Sequence, residues 1–148
     1  MSLLDRFAAY AAAFEDYFAS GDVGKIEPFF TEDAVYETLG GPPFEGLQEG
    51  RDAVLAYLKT SVDGFDRQFA TRTLEVIEGP QERESGVVWM RWKATYSTPD
   101  LPDLSIDGEE AATFRGDRIA RLEDRFSPEA VAAATKYLAE HGARLAQD

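Results

Sequence analysis

Four side chains in this 148-residue chain are of types and spacings that suit proton transfer: Tyr36 and Thr38 in AVYET, Glu110 in GEEAATF and Asp124 in RLEDRF. Each stands in a run of alternating character, where successive side chains take opposite faces of a strand. Ala34, Tyr36 and Thr38 therefore share one face, toward a pocket, and Val35 and Glu37 share the other. Asp124 falls between Leu122 and Phe126, so a face that carries those two inward carries the carboxylate with them. A carboxylate enclosed by apolar neighbours has a raised pKa and can act as acid or base near neutrality. The competing reading is a carboxylate that satisfies backbone donors, Arg121 or Arg125 at the strand end. Glu110 is in phase with Ala112 and Phe114 and points inward, with Glu109 outward; a slip of one residue exchanges them. For Glu110 the competing reading is a solvated carboxylate at the pocket mouth.

Other chemistries are closed to this chain. It has no cysteine and one histidine, His141, which removes disulfides, thiolate ligands, cysteine nucleophiles, clustered-histidine metal sites and Ser-His-Asp relays. A formal charge of -13 repels phosphate backbones and anionic lipid, and so argues against nucleic-acid and membrane partners. Charged Asp5 and Arg6 interrupt the first apolar stretch, and no run approaches the ~18 apolar residues of a membrane span. The expected location is the cytoplasm. Hydrophobic residues at 44% are too many for a disordered chain, and the length suits one domain spanning residues 1–148.

The elements that must position these residues are legible from period and punctuation. Leu3, Phe7, Tyr10, Phe14 and Tyr17 recur at spacings of four and three, predicting a helix over Leu3–Ser20 that Gly21 ends. Tyr10 and Tyr17 are further candidates for a pocket hydroxyl. Asp22 is placed to cap a second short helix that turns Ile26, Phe29 and Phe30 inward, with Pro28 near its start. A strand over Ala34–Thr38 follows, then a Gly-Gly-Pro-Pro corner within Gly40–Gly46. Val54, Leu55, Leu58 and Val62 mark a third helix over Gly50–Asp63. Strands are then expected over Phe69–Glu78, Gly86–Thr98, Ile106–Arg115 and Arg118–Phe126, with tight connections at Gly79-Pro80 and Gly116-Asp117 and a hairpin tip at Gln81–Ser85. Pro99–Asp103 forms a longer loop at the pocket rim. Ser127-Pro128-Glu129 opens a last helix carrying Val131, Thr135 and Leu138, with Gly142 as its stop.

On the Gly86–Thr98 strand, Val88, Met90, Trp92, Ala94 and Tyr96 form the more apolar face, assigned to the pocket. Val87, Trp89, Arg91, Lys93 and Thr95 form the other face, where Trp89 would be exposed on a monomer. That exposure suggests a homodimer through the outer face of the sheet. Helices followed by a run of strands imply an α+β domain, with helices packed on one face of a curved antiparallel sheet.

The order of these elements, with the phrases FASGD, FFTEDAVYET, FEGLQEGRDAVLAYL and GDRIARLEDRFSPEA, resembles the nuclear transport factor 2-like (NTF2-like, cystatin-like) superfamily and its SnoaL-like branch. The resemblance covers nearly the whole chain. It implies a cone of curved sheet and three N-terminal helices plus a C-terminal helix, an apolar pocket and frequent dimers. Its enzymes include ketosteroid isomerase, limonene epoxide hydrolase, scytalone dehydratase and polyketide cyclases. The isomerase's general base falls on Thr38 and its first-helix tyrosine on Phe14, neither of which supplies that chemistry; only Glu110 has a counterpart. The epoxide hydrolase's water-holding pair falls on Tyr36 and Thr38 and its last-strand aspartate on Asp124. Its Arg-x-Asp pair falls on Trp92 and Ala94, or on Arg91 and Lys93 after a slip, and neither register supplies both partners. The expected activity is acid/base chemistry without metal or organic cofactor: cyclisation, isomerisation, dehydration or epoxide opening. Asp124, Tyr36 and Glu110 would act on a small apolar oxygenated ligand held by Thr38, Phe14, Trp92, Tyr96 and Tyr17. The alternative is a pocket protein that binds a ligand without turning it over.

Overall fold

Ser2 starts the first helix through a reciprocal cap: its Oγ accepts the Asp5 N–H at 3.1 Å, and the Asp5 carboxylate accepts the Ser2 N–H at 3.4 Å. The computed structural model describes residues 2–41 and 44–145. Helix α1 spans Leu3–Ser20 and ends where Gly21 takes a φ of 79°. The expected second helix is instead two 3-10 turns, Val23–Lys25 and Glu27–Phe29. Pro28 brings no N–H to an α-helical ladder, and Phe30 is already extended.

Strand β1 runs Phe30–Leu39, longer than the Ala34–Thr38 expected, and pairs with a four-residue strand, β2, at Gly46–Glu49 that the sequence reading missed. Of the corner between them, Pro42 and Pro43 lie outside the described residues. Helix α2 spans Arg51–Gly64 and buries Val54, Leu55, Leu58 and Val62. After a 3-10 turn at Asp66–Gln68 come β3 (Thr71–Glu84), β4 (Val87–Ser97), β5 (Leu104–Arg115) and β6 (Arg118–Phe126). Helix α3, Pro128–Leu145, is capped by the Ser127 hydroxyl, which accepts the Ala130 N–H at 3.0 Å.

Three expectations need correction here. Gly79-Pro80 is not a turn, because β3 continues to Glu84 with its register shifting between Glu78 and Gln81, so the pair sits in a bulge. A Cβ at Gly79 would lie 2.9 Å from the Trp89 carbonyl oxygen at a φ of 87°, so glycine is what lets the strand pass. Gly142 does not stop α3, which continues until Leu145 is buried. Trp89 is not exposed: it retains 7% of its surface, and the Arg83 guanidinium from the bulged end of β3 sits 3.5 Å above its ring. Among the described residues, the exposed large apolar side chains of the sheet are Leu47 on β2 and Leu74, Val76 and Ile77 on the edge strand β3.

The six strands form one curved sheet in the order β2-β1-β6-β5-β4-β3, antiparallel except where β1 lies parallel to β6. Arg121 fixes which face is which: its Nη2 donates to Glu37 at 2.5 Å and its Nε to Glu123 at 2.7 Å on the outer surface. Over Val35–Leu39 and Arg121–Phe126 the odd residues therefore face out and the even ones face in, whereas beyond the register shift Ile119 is buried. Phe7, Tyr17, Ile26, Phe30, Val54 and Leu122 are almost fully buried between helices and sheet, each contributing roughly 1.5–3 kcal/mol. The chain is thus an α+β fold of the expected kind, with an open six-stranded sheet.

Candidate active site

Sheet register sets the site. Thr38 on β1 is level with Asp124 on β6, Asp124 is opposite Glu110 on β5, and Glu110 is opposite Met90 on β4. Directly opposed residues in an antiparallel pair hold their Cβ atoms about 4.5–5.5 Å apart, so the two carboxyls are neighbours by construction. All four line a cavity of about 330 Å³ between the concave face and the helices. That volume is near the lower end of the roughly 300–1,000 Å³ typical of small-molecule sites.

Tyr36 is two residues before Thr38 on the same face, and its hydroxyl donates to Asp124 Oδ2. Its ring is held edge-on by Tyr57 of α2, with centroids 5.7 Å apart. Arg121 is engaged by Glu37 and Glu123 on the outside, so it does not neutralise Asp124. Burial pushes Asp124 up to about 6, with the Tyr36 hydrogen bond pulling the other way. Glu110 is pushed well above the usual carboxylate range, first by burial and then by the charge of Asp124, with Arg72 partly offsetting both. Tyr36 and Tyr10 are held well above their ordinary pKa, chiefly by burial and further by Asp124 and Glu110. Both phenols are therefore protonated donors.

The arrangement brings two buried carboxyls into one cavity with two protonated phenols, of which Tyr36 is committed to Asp124 and Tyr10 can donate to another oxygen. Phe14, Trp92 and Tyr96 also line the cavity. Trp92 lies across Gly108, where a Cβ would come within 3.0 Å of Trp92 Cζ2, and meets Phe126 edge-on with centroids 5.6 Å apart. Thr38 is buried, and its Oγ1 reaches the Gly46 carbonyl at 3.5 Å. Tyr17 does not belong to the site. It lies one helical turn beyond Phe14, is fully buried against that ring with centroids 5.6 Å apart, and does not reach the cavity.

The sequence reading missed a second polar group in the cavity wall: Glu15, Asp66 and Arg72, beside Tyr96. Arg72 was within reach, since it shares its strand phase with Leu74, another wall residue. Asp66 was not, because a 3-10 turn carries no period. Among the described residues, no cluster of three His, Cys, Asp or Glu could hold a metal ion, and no helix is long and apolar enough to cross a membrane.

Comparison with known proteins agrees with this fold. A proposed isomerase from Bacillus subtilis matches at 18% identity and a TM-score of 0.66, over 91% of this chain and 96% of its own. A proposed polyketide cyclase from Xanthomonas campestris matches at 18% identity and a TM-score of 0.59, over 90% and 98%. An NTF2-like protein from Anabaena variabilis matches at 16% identity and a TM-score of 0.63, over 84% and 88%. These likenesses establish the fold. No curated protein matches by sequence. The SnoaL-like domain model matches residues 10–124, a span that runs from Tyr10 to Asp124 and so begins and ends on cavity residues. The chain belongs to the SnoaL-like domain family, on the NTF2-like fold.

Proposed function

We propose that the protein is a cofactor-independent enzyme that moves protons on a small, apolar, oxygenated molecule, with Asp124 as general base and Glu110 as general acid. The observation that carries this reading is the direct opposition of the two carboxyls across β5 and β6 inside one cavity. Two acids so placed cannot both ionise cheaply, and their pKa values are driven apart. Near neutrality Asp124 is mainly the carboxylate and Glu110 mainly the acid. Asp124 then takes a proton from carbon next to a carbonyl, and Glu110 delivers one to the oxygen or to a second carbon. Tyr36 orients the Asp124 carboxylate, and Tyr10 adds a donor near the oxygen that gains charge.

Isomerisation and cyclisation fit this set best, since both need one proton removed and one supplied in a dry cavity. Epoxide opening fits less well: the cavity-lining positions of β4 are Met90, Trp92, Ala94 and Tyr96, which supply no Arg and Asp pair. A dimer is retained in this reading, seated on the β3 edge where Leu74, Val76 and Ile77 are exposed rather than on the outer face around Trp89. The test is deuterium exchange from solvent into a panel of cyclic ketones and enones, followed by proton NMR. Wild-type protein should exchange a subset of them, and Asp124→Asn should slow exchange by at least ~100-fold. Equal rates for wild type and variant would end the reading.

A further inference from the structure

Away from the acid pair, the cavity wall carries one cation among its described residues, Arg72. Its side chain is only 9% exposed. Nη1 donates to Glu15 Oε1 at 3.1 Å and lies 3.4 Å from Oε2. Nε is 3.3 Å from Asp66 Oδ2 but is not aligned to donate to it, and this buried N–H finds no hydrogen-bond partner. The guanidinium is steadied over the rings of Phe18, at 5.2 Å, and Phe14, at 6.0 Å.

A structural clip tying α1 and the Asp66 turn to the sheet is the simpler account of Arg72, and such a clip has its donors satisfied. This one does not. Asp66 is an incomplete partner, since its Oδ2 lies 3.3 Å from Nε without accepting from it and its Oδ1 is taken up by the Tyr96 hydroxyl at 3.4 Å. Glu15 is a replaceable one, 49% exposed at its side chain, and ion pairs open to water on one side are weak. A rigid guanidinium with an unsatisfied N–H inside an apolar cavity matches a planar oxyanion better than any other group.

We propose that Arg72 is an anion-recognition subsite, which takes the carboxylate or phenolate of an otherwise apolar, ring-sized ligand and displaces Glu15. The body of that ligand then lies over Phe14 and Trp92, with its other end toward Glu110 and Asp124. Only this last placement rests on the function proposed above; recognition of the anion does not.

Titration calorimetry at neutral pH with 2-naphthoate and with its neutral methyl ester tests the proposal. Wild-type protein should bind the acid at least ~10-fold more tightly than the ester. Arg72→Met should abolish that preference while leaving ester affinity within about twofold, and Glu15→Gln, which removes the competing carboxylate, should tighten acid binding. Equal binding of acid and ester by wild type, or a preference that survives Arg72→Met, overturns the proposal. If Arg72→Met does not fold, Glu15→Gln decides: unchanged or weaker acid binding overturns it. Asp124→Asn separates the two proposals, because it should lose proton exchange and keep the acid preference. Loss of the preference in Asp124→Asn would mean that the acid binds at the carboxyl pair and not at Arg72.

Discussion

The Tyr36 hydroxyl donates to the Asp124 carboxylate across the parallel β1–β6 pair, and this bond is what keeps Asp124 from rising further under burial. Tyr36→Phe removes it without opening a large void. The pKa of Asp124 should then climb above its present value of about 6. The pH at which proton exchange sets in should move to higher pH by the same amount, and a pH–rate profile reads it.

Buried carboxyls should make the protein less stable as the solution becomes more alkaline. Asp124 and Asp66 are each raised from 3.8 to about 6, and burial and the charge of Asp124 hold Glu110 well above its ordinary value. A carboxyl whose folded-state pKa exceeds its unfolded one favours folding fully below the unfolded value and loses that contribution as pH rises through the folded value. For Asp124 the loss is on the order of 3 kcal/mol, complete a little above pH ~7. Thermal melts should therefore show Tm falling from about pH 5 to pH 8. Asp124→Asn keeps an acceptor for Tyr36 without a charge to desolvate, so it should melt higher than wild type at neutral pH while losing activity.

How much of this was legible in the sequence depended on whether a residue belonged to a period. Tyr36, Thr38, Glu110, Asp124, Met90 and Trp92 were placed on the inner face by alternation alone, and the structure has them there. Helix α1 and the Ser127 cap of α3 were equally plain. Strand β2 was not, because its four residues contain one apolar side chain, Leu47. Gly79-Pro80 reads as a turn by local chemistry, and only tertiary pairing with β4 turns it into a bulge. Trp89 shows the same limit: its parity was read correctly, but the cover that Arg83 gives it depends on that bulge.

Gly108 is a site where the cavity wall depends on a missing side chain. A Cβ there would lie 2.5 Å from the Arg125 carbonyl oxygen and 3.0 Å from Trp92 Cζ2. Gly108→Ala should push β5 from β6 or tip Trp92 into the cavity, destabilising the protein by about 1–3 kcal/mol. Chemical denaturation followed by Trp92 fluorescence measures the first effect, and weaker binding of the neutral naphthoate ester reports the second.

Arg83→Ala should uncover Trp89 and shift its emission to longer wavelength, at a stability loss of at most ~1 kcal/mol. Trp92 lies in the cavity, so Trp92→Phe as background isolates the signal. Emission already at the wavelength of a solvated indole before Arg83 is removed would contradict the packing of the bulged strand.

The central claim is that Asp124 and Glu110 share one cavity and divide their ionisation. Carbon-13 NMR titration of side-chain carboxyls, assigned with Asp124→Asn and Glu110→Gln, measures it directly. Asp124 should titrate at about 6 and Glu110 well above the ordinary glutamate range, with each shifting when the other is replaced. Independent titration of both near the ordinary values of about 3.9 and 4.3 would contradict it.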